Sequence, residues 1–148
     1  MALRVPPLAL LLLAFAVQWL LRGQLAFRAP WPLDVLALLF AAAGAAICLL
    51  GVRAFHRAQT TVNPLQPETA TALVTRGIYR FTRNPMYLGF TLVLLAAALY
   101  LRSVAALLVV PVFVAYLTAF QVIPEERALA ARFGAAFAAY RQRARRWL

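Results

Sequence analysis

Residues 95–108 read "LAAALYLRSVAALL", two apolar runs meeting at the three-residue break Leu101–Ser103. With only "LRS" between them, the flanking runs must fold back on each other as an antiparallel helical hairpin. Working outward, the run before the break reaches back to about Met86, and the run after it continues from Ser103 to about Ile123. Two further apolar segments precede the hairpin, about Pro6 to Leu21 and about Leu33 to Val52. At a rise of ~1.5 Å per residue the four reach about 24 to 31 Å, against a hydrocarbon core about 30 Å thick. The pattern predicts an all-α integral membrane protein with about four transmembrane helices. The first and third are short enough to require tilt or an interfacial start. No small-x-small cleavage site follows Leu21, so the first run reads as a retained helix rather than a leader. Pro111 is expected to kink the fourth span.

Composition agrees with lipid as the solvent. Of 148 residues, 65% are hydrophobic, more than a soluble domain of this size can hide. All fifteen basic side chains are arginine, against four acids (Asp34, Glu68, Glu125 and Glu126), for a net charge of +11. In a soluble chain that charge would suggest nucleic acid. Here it reads as topology and attraction to the headgroups of membrane lipids. Arg4, the loop arginines 53, 57, 76, 80 and 83, and the tail arginines 127, 132, 141, 143, 145 and 146 fall on one side; only Arg22, Arg28 and Arg102 fall on the other. Four spans and the positive-inside rule therefore place both termini in the cytoplasm, with the protein integral to the cell (inner) membrane.

The chain reads as a single membrane domain. Residues 1–52 hold two spans, 53–85 an irregular cytoplasmic loop broken by Pro64, Pro67 and Pro85, 86–123 the hairpin, and 124–148 a tail. Leu129, Phe133, Phe137, Tyr140, Ala144 and Trp147 recur at helical spacing, which predicts an amphipathic interfacial helix that Gly134 bends. One cysteine (Cys48) and one histidine (His56) exclude a disulfide framework and a dedicated zinc site, so no metal is expected. Cys48 reads as a packing residue and His56 as a side chain snorkelling at the interface. No phosphate-binding glycine loop or nucleophile elbow is present.

Chemistry concentrates in two short stretches, "RNPMYLG" (83–89) and "PEER" (124–127). Proline followed by two acids is a good helix start, because carboxylates favour the positive end of the helix dipole. Yet charge at membrane depth is costly and tends to be functional. The tight hairpin brings the cytoplasmic ends of spans three and four together, so the polar corner and the acidic pair face each other.

Together "LVTRGIYRFTRNPMYLG" (73–89), "EERAL" (125–129) and "RFGAAFAAYRQRARRW" (132–147) resemble the isoprenylcysteine carboxyl methyltransferase family, whose relatives include membrane phospholipid methyltransferases. The likeness runs from about Thr60 onward. It implies S-adenosylmethionine as cofactor, held at the cytoplasmic face, and a lipophilic methyl acceptor arriving from the bilayer. It further implies cofactor contacts from Thr71, Leu73, Val74, Tyr79, Asn84, Pro85, Met86, Tyr87 and Glu125. Arg83, Gln121 and Glu126 are then expected on the acceptor side, with Glu126 as base for an amine acceptor. Family members usually carry histidine where this chain has Asn84, and the prenylcysteine enzymes carry arginine where it has Gln121. The competing reading is a non-enzymatic membrane assembly protein that keeps the family fold. A channel is disfavoured, because the four spans hold no charge with which to line a path.

Overall fold

The computed structural model describes residues 5–28, 31–58 and 71–148. Arg4, Thr60, Pro64, Pro67 and Glu68 lie outside those residues. Within them the chain is helical, and no strand occurs; two isolated bridges, Ala26 with Ser103 and Thr82 with Arg145, are its β-type contacts. Five α-helices follow in order: α1 (Pro7–Leu20), α2 (Pro32–Arg57), α3 (Pro85–Tyr100), α4 (Val104–Leu117) and α5 (Ile123–Arg143). A 3-10 helix (Gly77–Arg80) precedes α3, and a π-helical turn (Thr118–Val122) joins α4 to α5.

Proline opens α1, α2 and α3, where its missing N–H is no loss. Ser103 starts α4, its Oγ accepting from Ala106 N at 3.2 Å. The same hydroxyl reaches the carbonyls of Leu21 (2.9 Å) and Gln24 (2.7 Å), tying the hairpin turn to the end of α1. Beside it, Arg102 Nη2 lies 2.7 Å from each oxygen of Asp34, the acid in the first turn of α2.

Two expectations are corrected here. Residues 53–57 are not loop, because α2 continues through them to Arg57, carrying Ala54 and Phe55 onto a cluster around Val74 and Tyr79. "PEER" does not begin a free helix either. Backbone runs through it from α4, and Ile123 N bonds Thr118 O five residues back. Pro124 has no N–H and would crowd the carbonyl four residues before it in a regular α-helix; the wider π turn relieves this.

The outer surface carries many apolar side chains, and a few polar ones are buried among the hydrophobic core. Leu12, Leu13, Leu38, Leu39, Leu108 and Val112 are exposed, while Gln18, Ser103 and Gln121 are buried. Gln18, at 0% exposure, donates to the carbonyls of Leu94 and Ala106, both at 3.1 Å, linking α1 to α3 and α4. So much outward apolar surface suits association with a membrane. Among the described residues, Pro32–Arg57 and the continuous Val104–Arg143 stretch are long and apolar enough to cross one; Pro7–Leu20 and Pro85–Tyr100 are shorter apolar helices. α2 and α3 touch nearly backbone to backbone. A Cβ on Gly44 would lie 2.7 Å from Gly89 O, and one on Gly89 would strike Cys48 Sγ.

Candidate functional site

The polar corner and the acidic pair meet. Tyr87, in the first turn of α3, donates its hydroxyl to Glu125 Oε2 at 3.1 Å. One residue on, Glu126 receives Arg83 Nη2 on Oε1 at 2.7 Å and Arg146 Nη2 on Oε2 at 2.8 Å. Consecutive carboxylates on one helix point about 100° apart, so Glu125 looks toward α3 while Glu126 turns to the corner and the tail.

Their environments separate the two acids. Glu125 is half-buried, beyond the apolar run, and burial pushes its carboxyl up to about 7; the Tyr87 hydroxyl pulls it down and the Glu126 charge pushes it up again. Among the described residues its other oxygen meets no hydrogen-bond donor. Burial also acts to raise Glu126, but the bonds from Arg146 and Arg83 outweigh it and hold that carboxyl below its usual range. A carboxylate held by two guanidinium groups is a weak proton acceptor, so the base expected at Glu126 does not fit this pairing.

The remaining expected donor-site residues divide into groups. Val74 and Tyr79 are buried with Phe137, Tyr140 and Ala144, and Leu73 packs against them. Tyr140 Oη fixes the segment by donating to Tyr79 O at 2.8 Å. Burial, then the Glu125 charge, pushes the Tyr79 phenol up. Thr71 is exposed at the start of this segment. Pro85 is buried, whereas Met86 turns to α2, where a Cβ on Gly51 would lie 2.9 Å from its Cγ.

Asn84 is not extended as its place before proline predicts. At φ −128° and ψ 54° its backbone curls so that its carbonyl accepts the first α3 bond, from Leu88 N at 2.9 Å. Its side-chain Nδ2 donates to Arg146 O at 2.8 Å. Arg83 is spent as well, because besides Glu126 its Nη1 serves the carbonyls of Arg141 and Ala144 at the end of α5. Gln121 is 2% exposed; it donates Nε2 to Val5 O at 2.7 Å, and its Oε1 has no partner among the described residues.

The interfacial stripe also finds a different role. Leu129, Phe133, Phe137, Tyr140 and Ala144 pack on the 73–79 segment, and Gly134 does bend the helix, at φ 48° and ψ −121°. Sequence reasoning gave no site role to Thr82, Arg146 or Trp147. Nothing in the sequence separates Arg146 from the other tail arginines.

A family model described as phospholipid methyltransferase matches residues 33–136. An uncharacterized protein of Haemophilus influenzae is 41% identical over 63 residues, covering 43% of this chain and 100% of that protein. No solved structure matches the chain.

Proposed function

This chain belongs to the phospholipid methyltransferase family, and on that premise we propose that it is an integral membrane enzyme that transfers a methyl group from S-adenosylmethionine to a lipophilic small molecule, isoprenoid or lipid headgroup. In this reading α1, α2, α3 and α4 with its π turn cross the bilayer as four spans. Both termini lie in the cytoplasm, and the reaction runs at the cytoplasmic interface.

The observation that carries the proposal is Glu125. It is a half-buried carboxylate at a membrane edge, with one oxygen bonded by Tyr87 and the other free of donors among the described residues. S-adenosylmethionine presents ribose hydroxyls and an ammonium that suit such an acceptor, and a flat adenine that suits apolar and aromatic walls. Val74, Tyr79, Pro85 and Tyr87 would supply those walls, so these residue types fit the group. Bound there, the cofactor supplies an electrophilic sulfonium methyl. The chain's task would then be to hold and orient the donor toward the acceptor. Glu125 and Tyr87 anchor one end, and the Val74–Tyr79 segment holds the other.

The commitment of Arg83 and Asn84 to the tail favours a second reading, an assembly protein that keeps the fold and binds no donor. Incubating the purified protein in nanodiscs of lipid extract with methyl-labelled S-adenosylmethionine separates the two. Label in an organic-soluble product is expected from the wild type and not from Glu125→Gln. An unlabelled lipid fraction, with folded protein and several extracts, would favour the assembly reading.

A further inference from the structure

We infer that Glu126 is a positioning residue: with Arg83 and Arg146 it clamps residues 144–148 as a strap across the polar corner, and that strap forms one wall of the donor site. Only the last step rests on the methyltransferase reading.

The clamp begins with a mismatch of numbers. One carboxylate, 9% exposed, serves two guanidinium groups, and the Arg83 side chain is itself only 10% exposed. Arg83 Nε and Nη2 both reach Glu126 Oε1, at 3.1 and 2.7 Å, while Arg146 Nε and Nη2 take Oε1 and Oε2 at 3.2 and 2.8 Å. Remove the negative charge and two cations remain side by side, one of them nearly out of water. That is an arrangement a protein leaves rather than keeps.

The strap is what would leave. Arg83 N donates to Arg145 O at 2.8 Å and Arg145 N to Phe81 O at 3.4 Å, so the strap lies alongside residues 81–83 as a short parallel bridge. The Arg146 carbonyl then takes Thr82 Oγ1 at 3.3 Å and Asn84 Nδ2 at 2.8 Å. Beyond it Trp147 packs against the cluster that contains Tyr87 and Val122. One side of the strap thus orients Asn84, and its indole packs against the buried cluster to which Tyr87 belongs. Glu126 acts on the donor site through these groups and needs no contact with reacting atoms.

Trp147 makes the clamp measurable without any substrate. Trp19 and Trp31 are the other two tryptophans, and replacing both by phenylalanine leaves Trp147 as the single reporter. In nanodiscs, acrylamide quenching of Trp147 and affinity for S-adenosylmethionine are measured for this parent, Glu126→Gln and Arg146→Lys. Loss of the clamp is expected to raise quenching about twofold as the strap opens locally. It is also expected to weaken donor binding about tenfold by misplacing the wall. Arg146→Lys keeps the charge but loses the two-nitrogen grip, so both readings should fall between the parent and Glu126→Gln. Unchanged quenching in folded Glu126→Gln would refute the clamp, and a freed Trp147 with undiminished donor affinity would refute the wall. Should Glu126→Gln not fold, Arg146→Gln, at the more exposed end of the clamp, gives the same two readings. A parent that binds no donor would overturn the methyltransferase reading and the wall with it, while quenching still decides the clamp.

Discussion

The Tyr87 hydroxyl, 3.1 Å from Glu125 Oε2, joins the first turn of α3 to the first turn of α5 across the end of the helical hairpin. The bond orients a carboxylate that pairs with no arginine among the described residues. Tyr87→Phe keeps the ring and removes the bond. A hydrogen bond to a charged group is worth ~1.5–3 kcal/mol, so a loosened Glu125 should weaken donor binding by about tenfold or somewhat more. Titration calorimetry in detergent would show it, and an affinity equal to wild type would remove Tyr87 from the site.

The proposed role of Glu125 predicts donor binding that depends on pH. With its carboxyl pushed up to about 7, the anion that accepts ribose or ammonium donors forms only as pH rises through that value. Affinity should therefore climb between about pH 6 and 8 and then level off. Tyr87→Phe removes a bond that lowers this carboxyl, so it should move the midpoint upward. A flat profile in both proteins would contradict the role given to Glu125.

The same shift carries a stability signature of definite sign. A carboxyl that titrates higher in the folded protein binds more protons there than in the unfolded chain. Its contribution is fully present below the unfolded value of 4.5 and is lost as pH rises through about 7. Thermal unfolding of the wild type minus that of Glu125→Gln should fall across that window. A difference that grows with pH would show that Glu125 is paired in a way this structure lacks.

Close approach of α2 and α3 gives a prediction about the scaffold. Gly89→Ala places a methyl group against Cys48 Sγ and 2.6 Å from Gly44 O, and backbone cannot yield there cheaply. Overpacking of this kind costs ~1–3 kcal/mol. The variant should unfold several degrees earlier, and unchanged stability would mean the two helices pack differently.

At the opposite end, Ser103→Ala removes the cap of α4 and the bonds to the end of α1 together. A lost cap typically costs ~1 kcal/mol, and a buried bond adds a similar amount. The loss should appear in unfolding midpoints while donor affinity stays within about twofold, because the site lies at the far end of the hairpin.

Much of the architecture was legible because the deciding constraint was local. Three residues between apolar runs leave the hairpin no alternative, and the hairpin alone brings Tyr87 and Glu125 together. What failed to show was long-range. The apolar stripe of α5 looks the same in sequence whether lipid or the 73–79 segment covers it. Arg53, His56 and Arg57 disguised the last turn of α2, whose Ala54 and Phe55 pack on that same segment. "PEER" has the composition of a helix start, and only the π turn shows how a helix passes through its proline. At the site, Glu126 was visible as a charge but its partner Arg146 was not, and Asn84 bonds a backbone carbonyl, which carries no sequence signature at all.

The most direct test of the account is equilibrium binding of S-adenosylmethionine to the purified protein in lipid nanodiscs at pH 8, wild type beside Glu125→Gln. Saturable binding that the variant weakens by about ten- to a hundredfold is the predicted result, the loss of bonds to a charged acceptor. Equal binding by both proteins, or none by a folded wild type, would contradict the claim that Glu125 holds a methyl donor at this interface.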